Sequence, residues 1–321
     1  MAKFITKVFI FLLIGGVSII PICRLFNKIY ENAICSDIFH FEPRTTILVV
    51  GDSHVATAVN SAILKSSVNI SLNGENYFYT YYKLKHFLKL NPQINTVVMG
   101  FSPHNVMKSC DLYTYDNKAN RWQMYLPVLD DFSREKIACL KMSYVVPFLQ
   151  YRYGAPFRLF QDSVVFRYLL RQKYQKYDFA FYGGFEERSG NNLKPTHIAW
   201  KVASHFVNEN GSYTGISDDM IHYLGEIAAL CQAKGVRLVL FGAPLEKQYR
   251  SGMPQQAMID YMNVKQEITT RYGNIRFLDL SSLDIPESFY YDCDHMNRDG
   301  ARVVSEILFR ELRGKKEGLN N

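Results

Sequence analysis

Five short apolar runs, each bounded by turn residues, constrain the fold of this 321-residue chain more than any other feature. The runs are rich in Val, Ile and Leu, and stretches with the apolar spacing of helices lie between them. Strands that are apolar on both faces and separated by helices are typical of a parallel sheet covered on both sides. The sequence therefore predicts an α/β fold, with three α/β/α layers around a five-stranded parallel sheet. The predicted strands are residues 47–50, 68–72, 96–99, 236–241 and 275–280.

Capping residues delimit several of the predicted helices. Ser217 precedes apolar residues that recur at the i, i+3, i+4 spacing, and Gly235 follows the last of them. Asn297 stands in the same position before a final amphipathic stretch. Together these elements predict one domain over residues 45–313, followed by a polar tail over 314–321. Further helices are predicted over residues 55–64, 77–90 and 255–272.

Residues 106–216 do not follow this alternation of strands and helices. The segment is rich in aromatic residues, and part of it, for example residues 163–176, has a helical pattern. The chain leaves the sheet at the start of this segment and returns to it at the end. We therefore expect an insertion packed near the sheet rather than a second independent domain. Its aromatic side chains either stack on sugar rings or pack in a core, and the sequence leaves both open. These residues are Tyr113, Tyr115, Trp122, Tyr125 and Trp200.

The N-terminal residues predict a membrane anchor. Residues 8–23 carry no charge, and only Lys7 interrupts the stretch over 4–23, which has about the length of a bilayer-spanning helix, roughly 20 residues. A cleaved signal peptide is the alternative. No A-x-A-like site follows closely, and Ile22 before Cys23 is too bulky for a lipoprotein cleavage site, which favours an uncleaved anchor.

The charges predict where the chain lies and what it binds. Lys3, Lys7 and the α-amino group slightly outweigh Arg24 and Lys28, so we expect the N-terminus on the inner side. Residues 24–44 would then link a single span of the cell membrane to a periplasmic or otherwise extracytoplasmic domain. The net charge is +7, but Lys and Arg are scattered rather than gathered in one stripe. This distribution argues against a nucleic-acid partner and fits some attraction to anionic lipid or glycan.

Polar side chains capable of chemistry follow the predicted strands. Residues 51–54 (Gly-Asp-Ser-His) follow the first strand, 73–76 follow the second and 100–105 follow the third. Residues 292–295 (Asp-Cys-Asp-His) lie between the fifth strand and the last helix. Because ligands of open parallel sheets bind outside the carboxyl ends of the strands, we expect these residues to share one site.

The segments Gly-Asp-Ser-His at 51–54 and Asp-x-Asp-His at 292–295 resemble the first and last sequence blocks of the SGNH (GDSL-like) serine hydrolases. The two blocks occur in the family's order, at opposite ends of one α/β domain. The resemblance covers most of 46–105 and 236–312, and not the insertion. It implies a flavodoxin-like SGNH fold and a serine esterase that uses no metal and no other cofactor.

The resemblance and the chemistry of the residue types assign the same catalytic roles. Ser53 lies at a strand-to-helix corner and would be the nucleophile, but a serine hydroxyl needs a base within hydrogen-bond reach. His295 would be that base, and Asp292 would accept the other imidazole N–H and fix the tautomer. Asp294 competes for this orienting role, and we expect it instead to be a solvated or loop-bracing acid. A plain N-cap is the alternative for Ser53.

The resemblance also implies three donors in an oxyanion hole. The backbone N–H groups of Ser53 and Gly74 fit the first two positions. The third donor of the family is the asparagine of a G-x-N pattern, but this chain has Ser102 in that place. Asn105 is the expected third donor, with Ser102 itself or Asn73 as alternatives. A further alternative is that the hole is altered, as in the membrane-associated members of the family. Losing one such donor typically lowers the rate by about 10²–10³.

The predicted anchor favours a comparison with the membrane-associated members of this family that modify cell-surface polysaccharides. We therefore expect an esterase acting on O-acyl or O-acetyl esters of a carbohydrate or cell-envelope polymer. With a sugar hydroxyl as acceptor, the same triad would make an O-acyltransferase that depends on a membrane protein supplying the acyl group. A catalytically degenerate scaffold that binds glycan is a further alternative.

Asp52 and His54 suggest a rival class, because an Asp-x-His pair after a first strand also opens the metal sites of metallophosphoesterases. Those sites need further ligands, namely an Asn-His pair after the third strand and a late His-x-His. Residues 103–105 read Pro-His-Asn, and the sequence contains no His-x-His. We therefore prefer the interpretation without a metal.

Overall fold

The structure of the protein is a computed structural model, and its chain divides into two compact units. One unit comprises Phe41–Arg121 and Tyr182–Asn321, and the other comprises Met1–His40 and Trp122–Phe181. The predicted strands and the candidate site all belong to the first unit. The residues that the structure describes are 3–11, 14, 40–115, 125, 128, 129, 133 and 183–314.

The second unit contains few described residues, and residues 3–11 among them are helical. Within the described part of the chain, no helix combines the length and the apolarity needed to cross a membrane. Residues 12, 13 and 15–23 of the predicted anchor lie outside that part, as does the helix predicted at 163–176. The anchor therefore stays a prediction.

The first unit is built on a sheet of five parallel strands in the order β2-β1-β3-β4-β5. This confirms the predicted α/β fold with a five-stranded parallel sheet. The second strand ends earlier than predicted, because the Asn69 side chain accepts a hydrogen bond from the Ser71 N–H at 2.8 Å and forms an Asx-type turn. The strands are β1 (Ile47–Val50), β2 (Ser67–Asn69), β3 (Thr96–Gly100), β4 (Arg237–Gly242) and β5 (Ile275–Asp279).

The helices of this unit include the predicted ones and three that the sequence analysis did not predict, α3, α4 and α6. The predicted caps are confirmed, since Ser217 accepts the Met220 N–H at 3.0 Å and Asn297 accepts the Gly300 N–H at 3.1 Å. The helices are α1 (Ser53–Ala58), α2 (Tyr77–Leu90), α3 (Asp111–Tyr115), α4 (Pro195–Phe206), α5 (Asp218–Ala233), α6 (Lys247–Gly252), α7 (Gln255–Arg271) and α8 (Arg298–Arg313).

Helix α1 is shorter than the predicted 55–64, and Asn60 explains why. The Asn60 side chain accepts the Ala62 N–H at 2.9 Å, which favours a turn over a continued helix. The Asn60 N–H donates to Ser305 Oγ at 2.9 Å, and that hydroxyl lies 3.3 Å from the Ala58 carbonyl oxygen. The end of α1 is thus held against α8.

Helices pack in two groups, as a three-layer arrangement requires. Helices α1 and α8 pack together over one buried core, and α2 packs on α5, where the Phe78 and Tyr223 rings meet edge to face at 5.0 Å. The fully buried side chains of the first core include Val49, Val98 and Val239 from the strands and Val55, Val304 and Leu308 from the helices.

The strand order places a crevice at the carboxyl ends of β1 and β3. The chain adds β2 on one side of β1 and then returns to add β3 on the other side, and such a reversal opens a ligand crevice. The two strands approach closely there, since a Cβ on Gly51 would lie 3.0 Å from Val55 Cγ2 and 3.1 Å from the Gly100 nitrogen. Gly51 also has φ of +138°, which favours glycine.

Residues 183–194, which we call the strap, run along this edge without regular secondary structure. The Gly184 N–H donates to the carbonyl of Ser71, just after β2, at 2.9 Å. The carbonyl of Arg188 accepts the Arg298 N–H at 2.7 Å, at the start of α8. The strap therefore connects the loop after β2 with the segment that contains residues 292–295.

Candidate active site

Ser53 lies at the corner between β1 and α1. The N-cap residue of α1 is Asp52, whose Oδ1 accepts the His54 N–H at 3.0 Å. The alternative interpretation of Ser53 as the N-cap is therefore wrong, and its hydroxyl is available for another partner. Ser53 is 9% exposed, at the carboxyl end of β1.

His295 is that partner, and Asp292 lies behind it. The Ser53 Oγ is 2.8 Å from His295 Nε2, and His295 Nδ1 is 2.8 and 3.0 Å from the two carboxylate oxygens of Asp292. Asp292 Oδ1 also accepts the backbone N–H of His295 at 3.0 Å, which fixes the loop. The fold thus brings a hydroxyl into contact with an imidazole and a carboxylate that lie near the other end of the chain.

Asp294 departs from its predicted environment. We expected a solvated or loop-bracing acid, but the residue is 1% exposed. Its Oδ1 accepts from Lys201 Nζ at 2.7 Å and lies 3.1 Å from His295 Nδ1, and its Oδ2 lies 3.1 Å from His54 Nε2. Asp292 remains the nearer acid to His295 Nδ1, so the distances favour it for the orienting role. We call His295, Asp292, Asp294, Lys201 and His54 the base cluster.

The charged residues of the base cluster raise the pKa of the His295 imidazole. Burial by itself lowers the pKa of His295, but the charge of Asp294 and the hydrogen bonds to Asp292 and Asp294 outweigh it and raise the pKa to about 9. Burial opposes ionisation of Asp294, yet His295 and His54 hold its pKa well below the usual range. Asp294 likewise raises the pKa of Lys201 against the effect of burial. Asp294 is therefore negatively charged and Lys201 positively charged at neutral pH.

A second group of polar residues holds the corner on its other side. Asp52 Oδ2 accepts hydrogen bonds from His104 Nε2 at 2.6 Å and from Asn105 Nδ2 at 2.7 Å. Asn105 Oδ1 in turn accepts the Ser102 N–H at 2.8 Å. Burial opposes ionisation of Asp52, but the adjacent imidazoles of His54 and His104 and the hydrogen bonds from His104 and Asn105 hold its pKa below the usual range. We call Asp52, His104 and Asn105 the corner cluster.

Neighbouring imidazole rings connect the two clusters. The rings of His54 and His104 lie 4.1 Å apart, and the His205 ring stacks on that of His104 at 5.0 Å. His205 Nδ1 is 2.6 Å from the hydroxyl of Tyr249. Burial lowers the pKa of both His54 and His205, so these two rings are neutral.

The expected oxyanion donors have different surroundings. The Asn105 amide nitrogen already donates to Asp52, a contact that the sequence did not predict. Gly74 lies in the turn after β2 with φ of +68°, where the Glu75 N–H donates to the Leu72 carbonyl at 2.9 Å. Asn73 is exposed in the same turn. The roles of Ser53, Gly74 and Asn105 as oxyanion donors stay predictions.

Some of these residues also lie close enough to share a metal ion. Asp52, His54 and His104 have ligand atoms within 4.8 Å of one another, as do His54, Asp294 and His295. Two ligands about 2.0–2.1 Å from a tetrahedral zinc ion lie roughly 3.3 Å apart. The 2.6 Å between Asp52 Oδ2 and His104 Nε2 is shorter and is the distance of a direct hydrogen bond. Asp292, Cys293 and Asp294 form a third such group.

The aromatic residues of the insertion divide between surface and core. Trp200 is 60% exposed, and its indole stacks on the His197 ring at 5.6 Å with an interplanar angle of 11°. Tyr113 is partly exposed, whereas Tyr125 is buried. Trp122 and the side chain of Tyr115 lie outside the described residues.

Lys201 and His205 are the site residues that sequence reasoning missed. Both belong to α4, which lies inside the segment expected to be an insertion. The signal for this helix was present, since Pro195 at its first turn and the spacing of Ile198 and Phe206, its buried residues, are typical of an amphipathic helix. Nothing in the spacing shows that Lys201 would meet Asp294, because 93 residues separate them.

No protein-family model matches the chain, and no curated protein matches its sequence. A functional assignment therefore depends on the chemistry of the site. When a buried hydroxyl, an imidazole and a carboxylate are connected in series by hydrogen bonds, the imidazole can activate the hydroxyl as a nucleophile toward an acyl group.

Proposed function

We propose that this protein is an SGNH-type serine esterase that acts on O-acyl esters of a carbohydrate or cell-envelope polymer. The observation that carries the proposal is the unbroken contact series from Ser53 Oγ through His295 to Asp292, with 2.8 Å at each step. A strand-to-helix corner and a loop before the last helix supply these residues in the order of the SGNH blocks. The strand order β2-β1-β3-β4-β5, which is that of flavodoxin-like sheets, also supports the comparison.

In the first half of the reaction, Ser53 Oγ attacks the ester carbonyl carbon while its proton passes to His295 Nε2. Asp292 accepts the Nδ1–H and stabilises the imidazolium that forms. The tetrahedral intermediate collapses as the sugar oxygen leaves and takes the proton from Nε2. The products of this half are the free sugar hydroxyl and an acyl group bonded to Ser53.

In the second half, an acceptor hydroxyl gives its proton to His295 Nε2 and attacks the acyl carbon. Ser53 leaves and regains the proton, which restores the starting state. Water as the acceptor makes the protein an esterase, and a sugar hydroxyl makes it an O-acyltransferase. The same residues serve both reactions.

Two further features support a carbohydrate polymer as the substrate. Trp200 exposes a large indole on the helix that also places Lys201 in the base cluster, and such rings stack on the apolar faces of sugars. The predicted anchor over residues 4–23 would hold the domain at the outer face of the cell membrane. For the transferase, a membrane protein would supply the acyl group.

Labelling of the full chain with a fluorophosphonate probe, which reacts with activated serines, tests the proposal. We expect labelling of wild type in the presence of EDTA, and none of Ser53→Ala or His295→Ala. Ser251→Ala, which changes an exposed serine of α6, is the matched control and should label normally. A folded wild type that does not label would overturn the proposal, and loss of labelling with EDTA would favour the metal-dependent class.

A further inference from the structure

We propose that Lys201, Asp294 and His54 form a charge clamp that positions the His295 imidazole, with the two charged members acting on it in opposite directions. In this proposal Asp294 and Lys201 are positioning residues, and neither touches the substrate. The proposal rests on the proposed function for the role of His295 as a general base. The contacts that form the clamp do not depend on which reaction the protein catalyses.

The clamp joins three separate elements of the fold at one carboxylate. Lys201, from α4, donates to both oxygens of Asp294, at 2.7 and 2.9 Å. His54, from α1, lies 3.1 Å from Oδ2, and His295 Nδ1 lies 3.1 Å from Oδ1. Since Asp294 is buried, these contacts replace the water that would otherwise solvate it.

The His54 ring has one hydrogen-bonding arrangement open to it. Its Nε2 faces Asp294, whereas its Nδ1 is buried and has no hydrogen-bond partner among the described residues. Because the ring is neutral, the single proton belongs on Nε2, where it donates to the carboxylate. His54 therefore fixes the orientation of Asp294 and adds no charge.

Two carboxylates and one cation therefore influence the pKa of His295, whereas an ordinary triad has one carboxylate beside its histidine. Asp294 favours the imidazolium, and Lys201 disfavours it. Removing either charge changes the pKa of His295, but the two removals change it with opposite sign. Among the described residues, the groups that face His295 are Ser53 and His54 from α1, Lys201 from α4, and Asp292 and Asp294 from its own loop. Arg188 from the strap lies behind Asp292, 3.9 Å from its carboxylate.

The test is an NMR titration of the full chain with ¹³C-labelled histidine, which reads the pKa of His295 without any substrate. The chain has eight histidines, and the signal that disappears in His295→Gln identifies the base. Relative to wild type, we expect Asp294→Asn to lower the pKa by about 1–3 units and Lys201→Met to raise it by about one unit. Lys201→Arg should restore the wild-type value, and Lys194→Met, an exposed lysine beside α4, should leave it unchanged.

Shifts of equal sign, or no shift in Lys201→Met, would overturn the clamp. If Asp294→Asn fails to fold, the pKa of His295 in Lys201→Met and Lys201→Arg still tests the clamp. A merely structural role for Lys201 predicts loosened packing with an unchanged titration. Because this experiment needs no turnover, opposite shifts in a protein that does not label with fluorophosphonate would uphold the clamp and reject the esterase.

Discussion

The corner cluster and the base cluster lie on either side of Ser53, and both pair buried carboxylates with imidazoles. In the corner cluster, Asp52 receives its hydrogen bonds from His104 and Asn105, both in the loop after β3. In the base cluster, one imidazole contacts both the Ser53 hydroxyl and a carboxylate. The corner cluster therefore holds the backbone from which Ser53 projects, whereas the base cluster contacts the Ser53 hydroxyl. In the proposed function, similar residue types would serve stability on one side and chemistry on the other.

The two acids of the base cluster, Asp292 and Asp294, should differ strongly in their effect on turnover. Asp292→Asn should lower kcat on a small acetyl ester by about 10⁴, because the imidazole loses its correct tautomer. Asp294→Asn should lower kcat far less when each variant is assayed at its own optimal pH. Equal losses in the two variants would mean that both acids orient His295, which would contradict the assignment of Asp292 alone.

The pH dependence of hydrolysis tests the charge balance in the base cluster. His295 must be neutral to accept the Ser53 proton, and with a pKa raised to about 9 only about 1% of it is neutral at pH 7. We therefore expect kcat/KM to rise about tenfold per pH unit from pH 6 and to level off near pH 9. A rise of kcat/KM with its midpoint near pH 6.5 would contradict the raised pKa of His295.

Changes in the corner cluster should affect stability more than chemistry. His104→Ala removes one of the two side-chain donors to buried Asp52, so the free energy of unfolding should fall by about 1–3 kcal/mol. Urea denaturation measures this loss. His197→Ala, which changes a partly exposed histidine of α4, is the control and should alter stability little. If a fully folded His104→Ala protein lost nearly all of its turnover, His104 would belong to the catalytic machinery instead.

The aromatic pair of Trp200 and His197 lies outside both clusters and should affect turnover only weakly. Trp200→Ala should lower kcat/KM on an acylated polysaccharide by about 2- to 10-fold, equivalent to about 0.5–1.5 kcal/mol of stacking. It should leave hydrolysis of a small acetyl ester unchanged, and Trp200→Phe should retain most of the activity. An equal effect on both substrates would mean that Trp200 supports α4 rather than a sugar.

The sequence predicted the parts of this arrangement that depend on local pattern. The Ile47–Val50 run ending at Gly51 shows a buried strand and a corner, and the caps Ser217 and Asn297 mark two helices correctly. It also selected Ser53, His295 and Asp292, which the fold brings into contact. Such features are visible because periodicity and capping are encoded within a few residues.

The rest depended on contacts between distant residues. Asp294 looked like a solvated acid because its partners, Lys201 and His54, are far away in the chain. Asn105 was expected at an oxyanion hole, but its amide donates to Asp52, a contact that depends on the spacing of β1 and β3. Buried charge pairs of this kind follow from tertiary packing, which local propensity does not encode.

If the proposed mechanism is correct, Ser53 becomes covalently acylated during the reaction. Mass spectrometry of the full chain, quenched in acid within milliseconds of mixing with an activated acetyl ester, measures this directly. We expect one added acetyl group on the peptide that contains Ser53, and none in His295→Ala. Turnover of the ester with no acetyl group on Ser53, or with acetyl accumulating on another residue, would contradict the proposed mechanism.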